Sequence, residues 1–219
     1  MLFGNEISSL SRFERRVVVA HAVVLGLFVL FFPSRLFNPG NLPVLERQER
    51  PTPELLKIYS ILRSGMGQAS ESAVWAVSRT IIQESRRHSF DPLLVLAVIA
   101  VESSFQHTAE SPDGARGLMQ IQPYIAGALS EQRRSLYGDK HAVGAPDLDN
   151  PIVNIKLGVF YLHSLWTNFR DMKLALTAYN YGPGNVQNRI DEEQEVPQEY
   201  ASKVLSTYQG YRRTLHRSR

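Results

Sequence analysis

Apolar positions fall along the chain in two patterns, one that wraps a helix completely and one that only stripes it. The wrapping pattern is the run Leu93 to Val101, apolar at every position and opened by Asp91 and Pro92. An aspartate accepts an orphan backbone N–H at a helix start, and a proline just after it has no N–H to lose, so a helix is predicted to begin there. With no polar face, such a helix belongs inside a core. The striped pattern recurs on both sides of it. Leu55, Ile58, Tyr59 and Leu62 predict a helix over 53–63, and Val74, Trp75, Val77, Ile81 and Ile82 predict another over 70–88. Asn150 and Pro151 open a third, with Ile152, Ile155, Val159, Leu162 and Trp166 on one face. Asp171 caps a helix over 171–178 that Gly182, Pro183 and Gly184 end, and Tyr200, Val204, Tyr208 and Tyr211 stripe a last helix over 197–215. Pro123 starts a helix to 131, residues 131–148 read as a loop, and 117–122 reads as a short strand or extended loop. The fold class is mainly α.

The all-apolar helix delivers Glu102 to the edge of that core. Burial disfavours an ionised carboxylate, and the negative end of the helix dipole disfavours it again, so both raise its pKa. A glutamate tuned to about 6 to 7 is what a general acid needs. A glutamate marking the solvated end of a core helix is the competing interpretation. Trp75 reads as core, with a place in a sugar cleft as its alternative.

Three further stretches bear on that choice: ESSF from Glu102, SPDGARGLMQIQP from Ser111, and AYNYGPGNV from Ala178. In this order the chain, over residues 89–211, resembles the catalytic domain of lytic transglycosylases of the soluble (SLT) type, relatives of goose-type lysozyme. The resemblance implies a lysozyme-like helical domain and the following roles. Glu102 protonates the glycosidic oxygen between N-acetylmuramic acid and N-acetylglucosamine. It then deprotonates the sugar's own 6-hydroxyl, leaving a 1,6-anhydromuramoyl end. Ser111 and Gln120 hydrogen-bond the sugars, and Tyr179 lies beside Glu102. Asn180 is a helix-end cap or a wall residue, and Tyr200 either reaches the site or packs in the core. Gln122 stands where the family often has methionine, which bears on sugar preference. A lysozyme-type hydrolase and a wall-binding module with little turnover are the alternatives.

Most glycosidases need a second carboxylate. The candidates are Glu110, Asp113, Asp147 and Asp149, none set like Glu102, and Asp113 before Gly114 reads as a turn residue.

Composition narrows the classes further. The chain has no cysteine, hence no disulfide framework or thiolate chemistry, and its six histidines lack ligand spacing, so no metal and no cofactor is expected. No phosphate-binding or dinucleotide fingerprint appears, and the basic residues are not interleaved with aromatics as a nucleic-acid partner requires. Residues 17–32 are apolar apart from His21 and Gly26 and follow Arg12, Arg15 and Arg16. They predict an uncleaved signal anchor, with residues 1–32 as cytoplasmic stub and anchor. Prolines at 33, 39, 43, 51 and 53 make 33–53 a linker, leaving 54–215 as the domain and 216–219 as a basic tail. The expected place is the inner membrane, single-pass, with the domain on the periplasmic side and peptidoglycan strands as partner.

Overall fold

The computed structural model describes residues 51–137 and 148–216, and within them the protein is helical. The eight helices are α1 (Pro53–Gly65), α2 (Glu71–Arg87), α3 (Pro92–Ser103), α4 (Pro123–Tyr137), α5 (Pro151–Phe169), α6 (Met172–Tyr181), α7 (Pro183–Asp191) and α8 (Glu199–His216). The expected anchor at 17–32 and the linker up to residue 50 lie outside the described residues, as do 217–219 of the tail. Among the described residues no helix is long and apolar enough to cross a membrane.

Helix α3 is the axis of the core. Every side chain from Pro92 to Ile99 is buried. At about 1.5–3 kcal/mol for each large apolar side chain taken from water, this short helix anchors much of the domain. Asp91 caps it as expected, Oδ1 accepting from the Leu93 N–H at 2.9 Å. Its other oxygen accepts from the Tyr208 hydroxyl of α8 at 2.7 Å. At the opposite end of α3, the Tyr200 hydroxyl of α8 donates to Glu102. The two helices therefore run antiparallel, pinned at both ends.

Local chemistry accounts for the other boundaries. Thr52, Ser70, Asn150 and Asp171 each accept a backbone N–H at a helix start. Three expectations needed correction. The loop expected from 131 gives way to helix as far as Tyr137, and residues 138–147 lie outside the described residues. Gly182, Pro183 and Gly184 end α6 but also start α7, because Pro183 sits at the first position of a helix, where its missing N–H costs nothing. The 117–122 stretch is neither strand nor open loop. It is a turn tied by isolated bridges of Arg116 to Glu110 and to Ile121. Trp75 is partly buried and stacks on Tyr59 with ring centroids 4.1 Å apart.

Candidate active site

Glu102 occupies the last turn of α3, which stops abruptly because Ser104 takes a left-handed conformation (φ 50°) and Phe105 follows it (φ 68°). Left-handed backbone at non-glycine residues costs of order 1–3 kcal/mol each and persists only where the surroundings enforce it. Here it leaves Glu102 half-buried at the rim of the apolar core. Burial pushes its carboxyl up from an ordinary 4.5 to about 7, against the opposing pull of the Tyr200 hydrogen bond and the Lys203 charge. Tyr200 and Lys203 are three residues apart on α8 and so share a face. Of the residues in play, Tyr200 thus bonds directly to the carboxyl.

Tyr179, from α6, is buried. Its hydroxyl donates to the Met119 carbonyl at 2.8 Å. Burial, then the charge of Glu102, then Tyr161 raise its pKa well above the usual phenol range, so the two groups are electrostatic neighbours. Asn180, one residue on, is exposed in the last turn of α6 and does not cap it; Gly182 is the cap residue, and Asn185 donates to the Tyr181 carbonyl.

The loop from Ala109 to Gln122 carries the remaining expected residues and is braced from within. Gln120, itself left-handed (φ 48°), spends its amide N–H groups on the carbonyls of Ala109 (3.1 Å) and Gly117 (3.0 Å). The Ser111 hydroxyl accepts from the Ala115 N–H at 3.0 Å, which leaves its own proton free to donate. The Gln122 carbonyl accepts from Ile125 and Ala126 and so opens α4. Among the described residues, no hydrogen bond joins Ser111, Gln120, Gln122 or Asn180 to Glu102.

What holds this loop against the body is a residue the sequence reading passed over. Asn154 of α5 is fully buried. Its amide donates to the carbonyls of Arg116 (2.8 Å) and Leu148 (3.0 Å), and its Oδ1 accepts from the Met119 N–H at 2.7 Å. The Met119 residue is thus gripped at its N–H by Asn154 and at its carbonyl by Tyr179. Gly117 makes room for this clamp, since a Cβ there would lie 2.3 Å from the Asn154 amide nitrogen, and its φ of +79° is one that side chains resist. Met119 itself is buried against Gly158 of α5. The available signal was an asparagine next to Ile155, among the apolar residues of α5, where a buried polar group survives only if hydrogen-bonded.

The candidate second carboxylates are engaged elsewhere or open to water. Glu110 and Asp149 both pair with Arg116, at 3.0 and 2.6 Å, and Asp113 is exposed. Asp147 lies outside the described residues. Among the described residues, the influences on Glu102 are burial, Tyr200 and Lys203, and no carboxylate is among them. The arrangement therefore offers one acid, partly protonated near neutrality, held by a phenol on one side and near a second.

Comparison with known proteins gives the same direction. Membrane-bound lytic murein transglycosylase C of Mannheimia succiniciproducens is 36% identical in an alignment 138 residues long that covers 58% of this chain and 36% of that protein. The chain spans about a third of the length of the curated relatives it matches. Lytic transglycosylase Slt of Pseudomonas aeruginosa, solved as an inactive mutant, superposes with a TM-score of 0.54 at 26% identity, covering 71% of this chain and 26% of that one. The 70 kDa soluble lytic transglycosylase of Escherichia coli shares the fold, with a TM-score of 0.55 at 22% identity over 70% of this chain and 26% of that one. Residues 79–201, from within α2 to the start of α8, match the family model described as the transglycosylase SLT domain, and the chain belongs to that family.

Proposed function

We propose that this protein is a peptidoglycan lytic transglycosylase that cleaves the β-1,4 bond between N-acetylmuramic acid and N-acetylglucosamine without water. The observation that carries the reading is Glu102, raised to about 7 by burial, with no second carboxylate acting on it among the described residues. A mechanism with a nucleophilic or water-activating carboxylate needs two such groups about 5–9 Å apart. One that recycles a single proton needs one group whose pKa lies near the working pH.

In the proposed cycle Glu102 starts protonated and gives its proton to the glycosidic oxygen as the bond to the anomeric carbon breaks. The muramic acid's own N-acetyl oxygen shields the carbon that is left electron-poor. The 6-hydroxyl of the same sugar then attacks that carbon, and the Glu102 carboxylate takes the hydroxyl proton. The acid is restored, no water is consumed, and a 1,6-anhydro ring closes the new end. Tyr200 fixes the carboxyl through its hydrogen bond and stabilises the anion formed halfway. Tyr179, anchored on Met119, faces the same charge. Ser111, Gln120, Gln122, Asn180 and the Tyr179 phenol are the proposed sugar contacts, Ser111 through the proton its hydroxyl retains.

The names of the relatives include the term membrane-bound. With the apolar run at 17–32, this supports an inner-membrane signal anchor, a linker over 33–53, and a domain over 54–215 on the periplasmic side. The test is to digest purified peptidoglycan with the wild type beside Glu102→Gln and weigh the soluble products. The reading predicts wild-type fragments one water lighter than a lysozyme's and at most trace release by the variant. Reducing ends would make the enzyme a hydrolase, and equal release by the variant would remove Glu102 from the chemistry.

A further inference from the structure

Gly65 ends α1, and nothing in its own backbone calls for glycine: it is helical, a conformation in which glycine is weaker than alanine. What excludes a side chain there is Phe105. A Cβ on Gly65 would lie 2.3 Å from Phe105 Cδ2, 2.6 Å from Cγ and 3.0 Å from Cβ. Rotating the ring would clear the first two atoms but not the third, so part of the clash would fall on the Phe105 backbone. That backbone belongs to the left-handed turn that stops α3 just past Glu102, with Ser104 at φ 50° and Phe105 at φ 68°. A bulky residue at such an angle is an outlier that its surroundings must enforce. The turn's own hydrogen bonds, from the Ser104 N–H to the Ala100 carbonyl and from the Gln106 N–H to the Ser103 carbonyl, run past Phe105. Helix α1 gives firm support. Ile58 and Leu62 are fully buried in the core against which Phe105 packs, and Arg63 donates to the carbonyls of Gly67 (3.1 Å) and Ala69 (3.2 Å), which ties down the chain leaving α1.

We propose that the end of α1 is a seat for the Phe105 ring and that Gly65 is a positioning residue for Glu102, holding through that ring the turn that keeps the carboxyl at the rim of the core. The inference rests on the glycan-cleaving reading above and adds to it an element that precedes the matched residues 79–201. It explains why a helix carries glycine where alanine suits its backbone better: the bare Cα lets an aromatic ring come close. A displaced turn would let water reach Glu102, and the burial that raises its carboxyl would be lost.

The test compares the full chain with Gly65→Ala, Phe105→Ala and the double variant. Three quantities are read: kcat and KM on purified peptidoglycan, the alkaline limb of the kcat/KM profile, and the pH dependence of the Tm gap between each protein and its Glu102→Gln counterpart. A misplaced acid predicts that Gly65→Ala lowers kcat on the order of tenfold to a hundredfold with KM within about twofold, moves the limb to lower pH and flattens the pH dependence of the Tm gap. Phe105→Ala should do the same by removing the ring. In that background Gly65→Ala should change kcat by less than about twofold, because its methyl enters the space the ring has left. A Gly65→Ala protein with unchanged kcat and limb overturns the seat, as does a second loss of equal size when the two changes are combined. Should Gly65→Ala not melt cooperatively, Phe105→Ala decides, and an unshifted limb with an unaltered Tm gap overturns the proposal. If the wild type releases no fragments, the glycan-cleaving reading falls, and the Tm gaps alone decide whether the seat sets Glu102.

Discussion

Replacing Glu102 by glutamine should make the domain more stable, and increasingly so as pH rises. A carboxyl with a native value of about 7 and an ordinary value of 4.5 binds protons more tightly in the folded than in the unfolded state. Between those two pH values the native state holds the extra proton, so stability falls as pH rises through the window and the full cost is present above 7. At 1.36 kcal/mol per unit, the cost of keeping the ionised group in place is about 3 kcal/mol at pH 8 and below about 1 kcal/mol at pH 5. Glutamine carries no charge and its carbonyl can still accept from Tyr200, so the variant escapes this cost. For a domain of this size the gain at pH 8 is roughly 6–12 °C in Tm. Melting curves of both proteins at pH 5, 6, 7 and 8 measure it. A Tm difference that does not change with pH, or a variant less stable at pH 8, would refute the idea that Glu102 is held desolvated against its ionisation.

Other expectations follow from the same geometry. Because the Tyr200 hydrogen bond lowers the Glu102 pKa, Tyr200→Phe should move the alkaline limb of the kcat/KM profile to higher pH and reduce kcat; a limb that stays put would mean the phenol does not act on the carboxyl. The Lys203 charge acts in the same sense, so Lys203→Met should also shift that limb upward, and added salt should shrink the difference between the two proteins. Asn154→Ala leaves the Met119 N–H and the Arg116 and Leu148 carbonyls without their buried partner and should cost about 3 kcal/mol or more in urea unfolding. Gly117→Ala meets both the Asn154 amide and an unfavourable φ, and should cost about 2 kcal/mol or more in the same assay.

Much of this arrangement was legible because it depends on local rules. The Asp91–Pro92 start and the unbroken apolar run predicted a buried α3, and burial alone was enough to predict the direction in which Glu102 titrates. The striped helices announced themselves through period, and their starts through capping side chains. What escaped depends on contacts between segments far apart in sequence. Tyr200 meets Glu102 across 98 residues, and a tyrosine on an apolar stripe gives no sign of whether its hydroxyl finds a carboxyl or packs among side chains. Asn154 was hidden by its apolar neighbours on α5, although a buried amide with nothing local to bond must serve something distant. The Gly-Pro-Gly stretch was read only as a stop, whereas proline after a glycine can equally start a helix. The bracing of the 109–122 loop by the Gln120 amide N–H groups, bonded to the Ala109 and Gly117 carbonyls, was likewise out of reach of a local reading.

The central claim is that Glu102 passes one proton out and takes it back while the sugar closes on itself. Digestion of peptidoglycan in water enriched in oxygen-18, followed by mass analysis of the new muramic acid ends, tests it most directly. The account predicts ends that are one water short and carry no label. Labelled reducing ends would show that water attacks the anomeric carbon and would contradict it.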